Sequence, residues 1–442
     1  MLIRAFVHSF CMSNMQHKLA ALLRRNRLLG TLLDLRGNAR YCLLTEPMWG
    51  IPNTLYVPLV AKYMEALGLS ALQIGVVLTA NLLSQMVAAF MSGAVTDRLG
   101  RRRTTMLVDF IAWSLPCLLW MAAQGFAWFL AAALLNGLWR VTENSWSLLM
   151  VEDAPQDKLV GIYALSNVAG LLAGFLSPLT SVLVGRFSLV ATMRGLYLFA
   201  FLSMTTKAVL LYRLTRETRL GHERMTALAG KPWHHAFRGS GQVVKGMLAN
   251  RPLMLTLGII SCVMVIRGVM ENFWPLLVTG PLQVGEEMLP LLATLKSLVM
   301  LACFLLLSHR LRAEHYRRPM AFALGVISLI SLVMLVLPAQ LSWLLVPGVM
   351  AEALALSILI PLYSSLQMLL LDAGERARMF GISLAFCLLV TAPFGTLNGL
   401  LSRIHAALPM AVCAVLGMLA LYLLSRLQAC LPPEKLREAA DV

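Results

Sequence analysis

GAVTDRLGRRR, residues 93–103, closes an uncharged run that opens near residue 72, and a second apolar run, 104–123, begins directly behind it. Two such runs joined by so short and basic a turn read as two helices that cross a bilayer and meet at its surface. A span needs about 20 predominantly apolar residues. Only helices and closed barrels satisfy their backbone in lipid, and runs of this length are helices. The pattern recurs along the chain. Spans are expected at 42–66, 72–95, 104–123, 127–150, 160–184, 194–213, 254–278, 288–308, 319–338, 342–370, 379–402 and 406–427.

Composition agrees. Of 442 residues, 59% are hydrophobic and only 13% charged, with a mean hydropathy of +0.76. A soluble domain carries about 25% charged residues to face water, so this chain is no soluble globule. The net charge of +16 raises nucleic acid as a partner, but a soluble nucleic-acid binder does not carry repeated apolar runs. Positive charge gathered on the cytoplasmic side of a membrane explains it better. The eight cysteines are scattered without a CxxC pair, mostly in apolar runs, and read as small packing residues. No metal site or cofactor is expected.

Orientation follows from the cations. Of the 37 Lys and Arg, only Lys62, Arg186, Arg194 and Arg403 fall in segments on one side, and Arg140, Lys207, Arg267 and Lys296 fall within spans. All the others lie on the opposite side, which is therefore cytoplasmic. Both termini and the linker belong to it, in a bacterial inner (plasma) membrane. Residues 1–40 form a basic segment without a signal-cleavage site, expected to lie on anionic lipid; Met12 and Met15 are alternative starts. The expected organisation continues with a six-helix bundle at 41–213, a linker at 214–252, a second six-helix bundle at 253–428 and a tail at 429–442. A weak repeat supports the division. LLMVEDAPQDKLVGIYALS after the fourth span matches LLLDAGERARMFGISLA after the tenth, with Asp153 and Gly161 answering to Asp372 and Gly381. Two parallel repeats place a site at their interface.

The turn at 93–103 resembles the signature of the major facilitator superfamily, G-x-x-x-D-R/K-x-G-R-R/K. Gly93, Asp97, Arg98, Gly100, Arg101 and Arg102 meet every fixed position. The resemblance implies two pseudo-symmetric bundles of about twelve helices and alternating access by their rocking. It implies that Asp97 faces the start of the eleventh helix, near Phe380 and Gly381, and that Arg101 pairs with Glu152 or Asp153 as a cytoplasmic latch. Gly93 is expected to let helices approach closely and Gly100 to permit the turn. The second-half counterpart, SHRLRAEHYRRP, lacks the aspartate and glycine. Arg140-x-x-Glu143 and AGLLAGFLSP (169–178) are degenerate echoes of drug–proton antiporter motifs and favour efflux slightly over uptake.

Ionisable groups at membrane depth cost at least about 2.5–3.5 kcal/mol each on insertion scales, so they mark function or pairing. They collect in four spans: Glu46 and Asn53 in the first, Arg140, Glu143 and Asn144 in the fourth, Arg267, Glu271 and Asn272 in the seventh, Glu352 in the tenth. The resemblance implies that these spans line the cavity. Asp109, Lys207 and Lys296 stand apart from that set, and Glu46 and Asp109 are read as shallow. The candidate cavity is Arg140, Glu143, Asn144, Arg267, Glu271, Lys296, Glu352 and Asn53. The three cations suit an anionic or zwitterionic solute unless Glu143 and Glu271 neutralise them. Glu143, Glu271 and Glu352 are candidates to carry a proton.

The expected function is proton-coupled transport of a small organic solute by a monomer, with no nucleic acid partner and no enzymatic step. The rival classes are a lipid translocator or transporter-like receptor, and a membrane-embedded transferase, for which clustered His, Asp or Cys at an interface are missing from the sequence.

Overall fold

The computed structural model describes residues 35–154, 172–230, 240–307, 316–371 and 376–430, together with 162, 165, 166, 169 and 170. Most of the basic N-terminal segment, the second-half basic loop at 308–315, Asp372 and the tail from 431 lie outside the described residues. Among the described residues there are helices and turns and no strand.

The first span is built from Gly37–Thr45, Pro47–Tyr56 and Val60–Ala66, with a 3-10 turn at Val57–Leu59. Pro47 and Pro58 mark its two breaks, since each removes a backbone donor from the helix, and Pro52 is carried inside the second piece. The helix begins at Gly37, five residues before the expected start of the span, so Glu46 lies about 13 Å along it. The second span, Ala71–Leu99, starts with a reciprocal Ser70–Gln73 cap. It ends at Gly100, whose φ of +84° makes the turn. The third, Arg101–Ala122, carries a π-turn at Phe110–Ser114. The fourth is split into Phe126–Asn136 and Trp139–Val151, and the fifth, described in part, ends with Pro178–Arg186.

The sixth span is Leu189–Leu214, and the linker contributes helices Arg219–Leu228 and Ser240–Ala249. Spans seven to twelve are Arg251–Thr279, Met288–Leu307, Arg317–Val336, Leu345–Leu370, Arg376–Ile404 and Leu408–Cys430. Among the described residues, eight helices are individually long and apolar enough to cross a membrane. The first and fourth spans fall short because each is broken, the first at prolines and the fourth between Asn136 and Trp139.

The first bundle closes around aromatics: Tyr56, Tyr63, Trp120 and Tyr197 stack with ring centroids 5.0–6.2 Å apart. The second closes around Met320, Leu324, Cys413 and Ala420, all buried. The halves meet where the second span packs on the eleventh. A Cβ at Gly75 would lie 2.3 Å from the Gly395 carbonyl oxygen and 3.0 Å from the Gly399 Cα. One turn on, Thr79 Oγ1 lies 2.8 Å from both the Ala392 carbonyl and Thr396 Oγ1. Small residues let backbones touch in this way. Gly174 abuts Ser297 between the fifth and eighth spans, and Lys62 reaches Glu286 at 3.7 Å on the face away from the basic loops.

Gly93 is a correction. A Cβ there would meet nothing within 4 Å, so the close approach of the second span is at Gly75, near its other end.

Candidate functional site

At the basic face the Arg101 guanidinium is 3% exposed and lies between two carboxylates. It donates to both oxygens of Glu152 at 2.9–3.1 Å and to Asp97 Oδ1 at 2.9 Å. The expected choice between Glu152 and Asp153 thus falls on Glu152. Asp153 instead accepts from the Arg219 backbone N–H at 3.3 Å. Asp97 finds its described partner in Arg101, one turn along its own chain. An internal pair satisfies the carboxylate first.

Glu217, in the linker, is a residue that the sequence reading passed over. Its carboxylate accepts from the backbone N–H groups of Arg101 and Arg102 at 2.9 and 3.1 Å, where the helix dipole favours an anion. A Cβ at Gly100 would lie 2.5 Å from this carboxylate, so the signature glycine makes room for the linker as well as the turn. Arg102 donates to the Tyr212 carbonyl at 2.8 Å and stacks on the Tyr212 ring. Thr218 Oγ1 donates to Glu152.

Deeper in, Arg140 begins the second helix of the fourth span, roughly 17 Å from its basic end at 1.5 Å per residue. Gly137, at the break before it, lets the fourth span approach the second, since a Cβ there would lie 2.4 Å from Ser84 Cβ. The guanidinium donates to Glu143 at 2.7 Å and to Gln85 Oε1 at 3.0 Å, and it stacks 3.9 Å from the Trp139 ring. Gln85 in turn donates to Asn81 at 2.7 Å, and Asn81 donates to Asn136 and the Ala133 carbonyl. Asn136 donates at 2.9 Å to Ala112, inside the π-turn. Arg140 is thus fixed from three spans. Its side chain is 14% exposed, whereas that of Glu143 is 48% exposed. Gln85 and Asn81 were missed although they share a helix face at i, i+4, a signal visible in the sequence.

In the second half Arg267 pairs with Glu271 at 3.6 Å on the seventh span, both part-exposed. Tyr363 and Glu352 are in electrostatic reach of Arg267. Lys296 donates to Glu352 at 2.7 Å between the eighth and tenth spans, a pairing that spacing does not announce. Asn53 accepts from Tyr56 and Asn272 donates to the Gly268 carbonyl; Asn144 is half-buried. Each cation of the candidate cavity therefore meets a carboxylate within its own half.

The family model for the Major Facilitator Superfamily matches residues 49–395. No curated protein matches the chain by sequence. Among solved structures the chain is similar to a D-xylose–proton symporter, with TM-score 0.67, 13% identity and 87% and 95% of the two chains covered. It is also similar to a nucleoside transporter, with TM-score 0.64, 10% identity and 89% and 99% covered. A human organic anion transporter gives TM-score 0.57, 16% identity and 88% and 98% covered. At these identities the likeness is one of fold.

Proposed function

Because the chain belongs to the Major Facilitator Superfamily, and so is a multi-pass membrane transporter rather than an enzyme, we propose that it moves a small organic solute in exchange with or alongside protons, and that the two meet at Arg140 and Glu143. The observation that carries this reading is the asymmetry of the pair. Gln85 and Trp139 hold Arg140 in place, while Glu143 is open to whatever fills the space beside it.

An anionic solute that takes Arg140 strips Glu143 of its cation, and the carboxylate then favours a proton. Solute and proton bind together, as symport requires. A cationic solute instead competes with the proton for Glu143, which gives exchange and the direction of efflux. Arg267, Glu271, Lys296 and Glu352 offer the opposing wall from the second bundle. The solved symporter shows that this fold is compatible with proton coupling. The basic face is the cytoplasmic one, in a plasma membrane, and one copy suffices.

The test is flux into proteoliposomes with and without an imposed pH gradient. Glu143→Gln is expected to lose accumulation driven by pH while retaining exchange of solute down its own gradient. A mutant that still accumulates solute on a pH gradient alone removes Glu143 from the coupling.

A further inference from the structure

Between Arg140 and the basic face, the first bundle encloses a second set of charges. Glu46 lies nine residues into the first span, Asp109 eight into the third, and Lys207 seven before the end of the sixth. At 1.5 Å per residue that is about 13, 12 and 10 Å of depth, one layer shared by three helices. Thr142 enters the same layer from the fourth span. Asp109 is 4% exposed, and Lys207 and Thr142 are each 6% exposed.

Lys207 Nζ donates to Glu46 at 3.1 Å. The indole rings of Trp49 and Trp146 flank it, with centroids 5.8 and 5.6 Å away. Asp109 and the Cys42 thiol lie within its electrostatic reach. Two carboxylates thus face one ammonium. Fully ionised, the group holds one uncompensated negative charge away from water, a costly arrangement at this depth.

The hydrogen bonding is unfinished in the same place. Asp109 Oδ2 and Thr142 Oγ1 are buried facing each other, and the indole nitrogens of Trp49 and Trp146 are buried without a partner. Buried polar atoms are nearly always paired, and an enclosed surplus negative charge calls for a positive partner. A metal cation fits poorly beside the Lys207 ammonium. A proton fits: on Asp109 it removes the net charge and makes the acid a donor to the Thr142 hydroxyl. Glu46 keeps the lysine, since it makes the direct bond.

The cluster also touches the solute site proposed above. The π-turn at Phe110–Ser114 follows Asp109 directly. Its Trp113 lies edge-on to Trp49 at 5.4 Å and tilted to Trp139 at 6.1 Å, and Trp139 carries the Arg140 guanidinium.

We infer that Glu46, Asp109 and Lys207 form an enclosed proton site inside the first bundle, distinct from Glu143, which holds one proton on Asp109 and passes its state to Arg140 through Trp113 and Trp139. The charge count stands whatever the solute; only the link to transport rests on the reading above.

Infrared spectra of the purified protein in lipid test it, read at the carboxylic-acid C=O band at neutral pH. Wild type is expected to show the band and Asp109→Asn to lose it, leaving Glu46 and Lys207 balanced. Lys207→Met should enlarge it, and Glu143→Gln should leave it in place, so this site and the role of Glu143 stand or fall separately. If Asp109→Asn does not fold, Asp109→Glu must shift the band's frequency. The inference is overturned by a wild type with no band, by a band that Asp109→Asn leaves intact, or by one that Asp109→Glu leaves unmoved. Loss of the wild-type band when sodium chloride replaces choline chloride at constant pH would reveal a sodium site and overturn it equally.

Discussion

Arg101 carries hydrogen bonds to two carboxylates, and the two are not equivalent. Glu152 is 8% exposed and would be stranded without its partner, whereas Asp97 is 33% exposed and keeps access to water. Removing one member of a buried pair typically costs about 3–5 kcal/mol, and an exposed pair contributes about 0–1 kcal/mol. Arg101→Ala is therefore expected to lower the thermal midpoint of the detergent-purified protein sharply, and Asp97→Asn to change it little. Asp97→Asn should nonetheless slow transport while solute affinity stays within a few-fold, if the Asp97–Arg101 pair at the basic face acts as a latch. Transport at the wild-type rate would remove Asp97 from the cycle. Gln85→Leu acts on the cavity instead. It takes away the bond that orients Arg140, and hydrogen bonds to charged groups contribute about 1.5–3 kcal/mol. Solute binding should weaken by about tenfold or more, read as a titration; unchanged affinity would show that Arg140 needs no such support.

Among the helices, contact is set by glycines whose importance the signature does not rank. Gly75→Val drives a side chain into the Gly395 backbone and is expected to abolish monodisperse protein or, if it folds, transport. Gly93→Ala, at a position with open space, should behave as wild type in gel filtration and flux. A damaging Gly93→Ala beside a benign Gly75→Val would reverse this account. The helices themselves were legible, because an apolar run of span length has one solution in lipid, and the Arg140–Glu143 and Arg267–Glu271 pairs follow from helical spacing alone. Lys296–Glu352, Glu46–Lys207 and Gln85–Arg140 were not. Each joins different spans, and a hydropathy run does not record how a helix is rotated about its axis. Glu217 was hidden for another reason: a polar linker reads as a divider, and nothing in its composition shows which carboxylate turns back onto a helix start.

For the molecule as a whole, the tight contact between the second and eleventh spans sits well off centre. Val77, between Gly75 and Thr79, is about 9 Å from the start of its helix at Ala71 and about 33 Å from the end at Leu99, at 1.5 Å per residue. If the bundles turn about this contact, it is a fulcrum with arms of roughly one to four, and the same rotation moves the two ends by unequal distances. Spin labels across the halves should report a displacement at the basic face about four times that at the other; equal displacements would place the pivot elsewhere. A lever set this way gives the protein one wide mouth and one narrow one. Solutes would then be sieved by size at the face where Lys62 meets Glu286, and a wide aperture on the basic face would admit them with little discrimination.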